Sequence, residues 1–293
     1  MTSLSSPTQP RLQAAVPARP GRPAGLGAVV VWEVCKLAAQ MRGRLVLLGA
    51  LLGPIPVVAA LNAQAQAPKD TLFGRYATTS GYSLALLVLG FAGQWALPLM
   101  TSVVAGDIFA SEDHHGTWKT VLTRSASRST IFWAKVITAF GFATVMVGVL
   151  SFSTVTASVV LGGHDQLTGV SGQLIGNHQA LRVVAESWAT TLPPTLGFTC
   201  LAILISVATR STAAGIAAPA VLGMLMQLIG SLGSIAGLRA VLLSTPYEAW
   251  HGLLAAPRFT GPLMDGLVVS AAWSLVCLAA AFVMVRRRDI TGG

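Results

Sequence analysis

The sequence predicts an all-α polytopic membrane protein with six transmembrane helices, both termini on the inner side. Of its 293 residues, 53% are hydrophobic and only 10% are charged, too few charges for the surface of a water-soluble domain. The apolar residues gather into runs of roughly 20, the length a helix rising about 1.5 Å per residue needs to cross a hydrocarbon layer about 30 Å thick. The basic residues, finally, fall mostly at one set of loop ends.

The apolar stretches are 45–61, 83–105, 132–160, 189–208, 212–238 and 263–285. The charged residues within them, Lys135 and Asp265, stand near the segment starts, where their side chains are expected to reach water. Residues 1–25, rich in Pro, Ser, Ala and Arg, read as a disordered cytoplasmic leader. Residues 26–44 carry Trp32, Glu33, Lys36, Arg42 and Arg44 on mixed polarity and read as an interfacial helix feeding the first span. That span is short and contains Pro54 and Pro56. A cleaved signal peptide is the rival reading, from the small residues Ala63, Ala65 and Ala67, but the stretch before the apolar run is far longer than an ordinary basic n-region.

With the N-terminus inside, the inner regions hold 14 of the 19 basic residues and the outer regions five, while the ten acidic residues divide equally. This bias fits the positive-inside rule and accounts for the formal charge of +9 through topology and anionic lipid, without nucleic acid. The outer connections are 62–82, 161–188 and 239–262, the second with a short helix expected from Gln173 to Trp188. The third has an amphipathic middle, Tyr247 to Ala255, that either lies in the interface or dips into the membrane, or else forms an ordinary folded cap. Spans four and five are joined by Thr209, Arg210 and Ser211 and must be antiparallel neighbours. Gly233 and Gly237 form a small-xxx-small pair suited to close helix approach, or reflect the glycine content common in membrane helices. The basic residues Arg286 to Arg288 open a cytoplasmic tail, 286–293.

The inner bridge between spans two and three, residues 106–131, combines acidic and basic groups. Asp107 to Ser111 can extend the second helix into water, and Glu112 to Leu122 can form a short helix along the membrane surface. In this stretch Glu112, three variable residues, Gly116 and Thr117 are followed by Leu122, Arg128, Ala134 and Lys135. The pattern resembles the permease subunits of ABC-2 type ATP-binding cassette transporters, departing at Ser125, where that family commonly has Pro. The hydropathy layout and the Arg288-Asp289-Ile290 ending agree with the resemblance.

The resemblance implies a coupling helix received by a separate cytoplasmic ATPase subunit, with two permeases, identical or related, and two ATPases making the transporter. It places Glu112, Gly116, Thr117, Trp118 and Lys119 at the ATPase contact, supported by Arg124 and Arg128. The chain carries no GxxxxGK[ST] loop, so ATP and Mg would act through the partner and no cofactor is expected here.

Other chemistry is sparse. His114 and His115 are adjacent and lack HExxH spacing, and Cys35, Cys200 and Cys277 form no CxxC pair. At membrane depth the polar candidates are Gln94 and Gln227, which either line a substrate route or bond helix to helix. With no charge at mid-membrane, an apolar or amphipathic cargo fits an exporter in the cell membrane better than a free ion does. The competing classes are a channel or secondary transporter, and a structural or regulatory membrane protein without cargo.

Overall fold

A computed structural model describes residues 25–64, 73–76, 79–114, 127–232 and 236–287. Among these residues, six helices are long and apolar enough to cross a membrane: Met41–Ala63, Gly81–Glu112, Arg128–Gly162, Asn177–Thr209, Thr212–Ser231 and Gly261–Arg287. The leader before residue 25 and the tail after Arg287 lie outside the described residues.

The N-terminal helix Leu26–Ala39 stops at Gln40, whose backbone is extended, and the first span begins at Met41. Residues 41–44 therefore belong to the first span instead of the preceding helix. That span is itself two helices, Met41–Leu52 and Pro54–Ala63, joined through Gly53. Pro54 sits at the first position of the second piece, where its missing N–H removes no helical hydrogen bond. Gly53 stays in the helical region and donates to the Gly49 carbonyl at 2.8 Å, so the apolar run continues across the joint.

The second span starts at Ser80, whose hydroxyl accepts from the Tyr82 amide at 3.3 Å. It runs helically to Phe91, passes through a π turn at Ala92–Ala96, and resumes as Leu97–Ala105. Pro98 explains the π turn. It has no N–H for the Gln94 carbonyl and crowds that oxygen, so the ladder shifts and Leu97 N–H reaches back five residues to Ala92. After Ala105 the chain turns through Gly106–Phe109 into a short helix, Ala110–His114.

Ser127 caps the third span by accepting from Thr130 N–H at 3.1 Å. Beyond it, Leu167–Thr168 pairs antiparallel with Leu174–Ile175, and the helix Asn177–Ala189 leads into Leu192–Thr209. The expected antiparallel pairing of spans four and five is observed: Arg210 takes the left-handed conformation at φ 54°, Ser211 caps the next helix, and the two spans pack together. The fifth helix ends at Ser231, earlier than the expected 238, and Ala236–Arg239 is a separate short helix. Gly233 lies outside the described residues.

The middle of the last long connection is a 3-10 helix, Thr245–Leu254, packed as a cap on the sixth span and on Asn177–Ala189. Val170 N–H and Gln173 Nε2 bond the Leu254 carbonyl at 3.0 and 2.8 Å, and Tyr247 Oη lies 3.1 Å from Thr195 Oγ1. Of the alternatives left open by the sequence, the folded cap describes these contacts. The second and fourth spans form the buried centre, while the first, fifth and sixth leave most of their apolar surface outside the chain's own core.

Spans two and five meet backbone to backbone at Gly106 and Gly215. A Cβ on Gly106 would stand 2.1 Å from the Gly215 carbonyl oxygen, and one on Gly215 would stand 2.3 Å from that of Gly106. Neither neighbour is a side chain that can rotate away. Gly106→Ala should therefore destabilise the chain by about 1–3 kcal/mol through overpacking. Gly141→Ala, where a Cβ meets nothing within 4 Å, should not destabilise. Thermal unfolding in detergent, measured on both variants, checks the contrast.

Candidate functional site

The charged residues of the N-terminal helix and of the bridge converge on the start of the third span. Lys135 Nζ lies 2.8 and 3.0 Å from the two carboxylate oxygens of Glu33 and 3.1 Å from Glu112 Oε1. Lys36 Nζ pairs with the same Glu112 oxygen. Arg42 Nη1 contacts Asp107 Oδ1 at 2.9 Å, extending the set to the first span. Lys135 is 1% exposed and Glu33 and Glu112 are 3% exposed, so these three are withdrawn from solvent, while Lys36, 30% exposed, closes the tetrad of two carboxylates and two ammonium groups at its edge.

This geometry corrects two expectations. Lys135 does not reach water: it is 1% exposed, the N-terminal helix packs against its helix, and Glu33 supplies a counter-charge at 2.8 Å. Nor does Asp107 to Ser111 carry the second helix straight into water, since the chain turns at Gly106 and both Asp107 and Glu112 are buried. The first turn of the bridge is fixed to the fourth span as well, because Ser206 Oγ accepts from the amides of Phe109 and Ala110 at 3.3 and 3.0 Å.

Of the residues expected at an ATPase contact, Glu112 is in the tetrad and Arg128 begins the third span, where its Nη1 donates to the Arg286 carbonyl at 3.2 Å. Gly116, Thr117, Trp118, Lys119 and Arg124 lie outside the described residues. The sequence reading missed Glu33, Lys36, Arg42, Ser206 and Lys135 as members of one site. The available signal was charge on Leu26–Ala39 at helical spacing, with Glu33 and Lys36 three apart on one face.

The two intramembrane amides separate. Gln94, in the π turn, donates from Nε2 to Glu248 Oε1 at 3.3 Å and lines a cavity of about 230 Å³ between the second span and the Thr245–Leu254 cap. Gln227 is half-buried on the fifth span and does not line that cavity. Beside it, burial holds the His251 imidazole below its ordinary pKa of 6.5, against the opposing pull of Glu248. Among the described residues, no group of three or more His, Cys, Asp or Glu could hold a metal ion.

Six apolar helices and a bridge locked by buried ion pairs define a multi-pass α-helical membrane protein. A family model described as ABC-2 family transporter protein matches residues 29–227, about two thirds of the chain, and the chain belongs to that family. It is thus a membrane-embedded ABC-2-type permease domain. No curated relative matches it.

Lys135→Met should be costly, leaving Glu33 and Glu112 buried around an apolar side chain; breaking one partner of such a pair costs about 3–5 kcal/mol. Removing charge in balance, as Lys135→Met with Glu33→Gln, should recover part of that loss. Unfolding of both variants in detergent tests this, and equal losses would contradict a paired cluster.

His251 gives a pH dependence of definite sign. Its folded pKa is lowered, so the unfolded chain binds the proton more readily, and the cap loses stability as pH falls below the ordinary value of 6.5. Hydrogen exchange in residues 245–254, corrected for intrinsic rates, should show weaker protection near pH 5 than near pH 8.

Proposed function

We propose that this chain is the membrane-spanning subunit of an ATP-driven exporter in the cell membrane, acting with a separate cytoplasmic ATPase and a second permease copy or close relative. In this reading both termini are inside, residues 1–25 and 286–293 are cytoplasmic, Leu26–Ala39 lies along the inner interface, and residues 106–131 are the coupling bridge. Family membership supports the ATPase partner, and the 14-to-5 distribution of basic residues supports the orientation.

The observation that carries the coupling role is the tetrad. A bridge tied only to the ends of its own two helices could swing without consequence. Here Glu112 is ion-paired to Lys36 on the N-terminal helix and to Lys135 on the third span, and the turn before it is bonded to Ser206 on the fourth. Force applied by an ATPase to the bridge would be distributed to these elements at once. Gly116, Thr117, Trp118, Lys119 and Arg124 are assigned to the ATPase-facing part, with Glu112 and Arg128 securing its ends.

The exposed apolar faces of the first and fifth spans, including Leu45, Leu48, Met224, Leu225 and Leu228, are assigned to lipid and the second permease. Gln94 and Gln227 remain candidates for the cargo route, and an apolar or amphipathic cargo suits spans that carry no charge at mid-depth.

Purification from a native membrane in mild detergent should recover an ATP-binding cassette ATPase with this chain. Gly116→Pro, and Glu112→Gln combined with Lys36→Met so that charge is removed in balance, should each lower transport per ATP hydrolysed while membrane expression persists. Recovery without any ATPase, or unchanged coupling in both variants, would favour a channel, a secondary transporter or a cargo-free membrane protein.

A further inference from the structure

We infer that the cavity beneath the Thr245–Leu254 cap binds an organic cation carried on an apolar body, of the aryl-alkyl quaternary ammonium class. As a statement about cargo this rests on the permease reading; as a statement about binding it stands on the cavity alone.

Among the described residues the lining is mostly apolar, with the aromatic side chains Phe73, Phe91, Tyr247 and Trp250 and one carboxylate, Glu248. Among the described residues neither Lys nor Arg belongs to it, and burial lowers the pKa of His251, also in the lining. Aromatic walls attract a cation through their ring quadrupoles, and more strongly once water is excluded. Glu248 adds a carboxylate whose charge is shared with Arg239. Arg239 Nη2 occupies its Oε2 at 2.6 Å, while Oε1 receives the longer bond from Gln94. Oε1 is thus the oxygen that an entering ammonium can approach by displacing a weak contact.

Gly90 is the second observation. It lies inside the helix Gly81–Phe91, where glycine weakens helical structure, yet a Cβ there would meet nothing within 4 Å. No neighbouring backbone demands glycine at this position. Three residues on, at Gly93, a Cβ would stand a tight 3.2 Å from the Tyr247 side chain. The helix therefore closes on the cap at Gly93 and leaves room beside Gly90, and that room belongs to the cavity.

Equilibrium dialysis of labelled benzyltrimethylammonium against the full chain in phosphatidylcholine nanodiscs tests the inference, with neopentylbenzene as a neutral probe of the same shape. Saturable binding is expected, with neopentylbenzene a poor competitor. Glu248→Gln should weaken the cation roughly five- to tenfold, the scale of one ring-plus-charge contact. Arg239→Gln should tighten it by releasing Oε2, a result that misfolding cannot imitate. Gly90→Leu should abolish binding by filling the space while leaving thermal unfolding intact.

Absence of saturable binding would overturn the site. Equal competition by neopentylbenzene together with indifference to Glu248→Gln and Arg239→Gln would overturn the cation and leave an uncharged apolar pocket. Binding needs no ATPase, so a chain that binds the cation but recovers no ATPase separates this inference from the transport reading.

Discussion

An ammonium group buried at the base of a membrane helix constrains everything packed around it. Taking Lys135 out of water costs several kcal/mol, and the cost is offset only if carboxylates approach it in good geometry. Glu33 and Glu112 do so, but each comes from a different element, one before the first span and one after the second. The N-terminal helix must therefore lie across the third span with Glu33 facing inward, and the bridge must fold back far enough to bring Glu112 beside it. A well-packed apolar set could have supplied comparable stability. What ion pairs add is register: sliding the N-terminal helix by one residue would turn Glu33 about 100° away and strand a charge.

Such a cluster cannot be read from hydropathy. The spans could be, because a run of apolar residues is a local property, and each of the six expected segments overlaps an observed helix. Lys135 was expected to extend toward water because it stands near the start of its segment, a rule that holds when nothing covers the side chain. Its failure depends on where Leu26–Ala39 packs, which is a tertiary fact. The same limit explains the fifth span, where apolar residues such as Leu232 continue past the last helical turn and hydropathy cannot see the chain break. Gln94 and Gln227 looked alike as lone amides in apolar helices. The cap distinguishes them, and it is not visible without knowing that residues 245–254 return to the second span.

The second span is constrained differently along its length. Near the bridge it is fixed by the Gly106–Gly215 backbone contact, by a hydrogen bond of 2.8 Å between Thr101 and Thr199, and by the ion pair of Asp107 with Arg42. Toward the opposite end it packs on the third span and, at Gly93, on Tyr247 of the cap. Between these two regimes stands the π turn. Inserting five-residue spacing into a helix of 3.6-residue turns rotates one part relative to the other, so one chain segment can present different faces to different neighbours.

That position has a mechanical meaning. From Gln94 to Ala105, where the helix gives way to the bridge, is eleven steps, about 17 Å at 1.5 Å per residue, so the bridge and the cavity lie far apart along the second span. An uninterrupted helix would carry displacement over that distance as a rod. This one has lost a regular hydrogen bond at Pro98 and shifted its ladder at Ala92–Leu97, so the regular helix is interrupted there. Gln94 belongs both to that joint and to the cavity wall, where it holds Glu248. Under the proposed coupling, motion entering at the ion tetrad would reach the cavity wall through this joint, since Gln94 belongs to both.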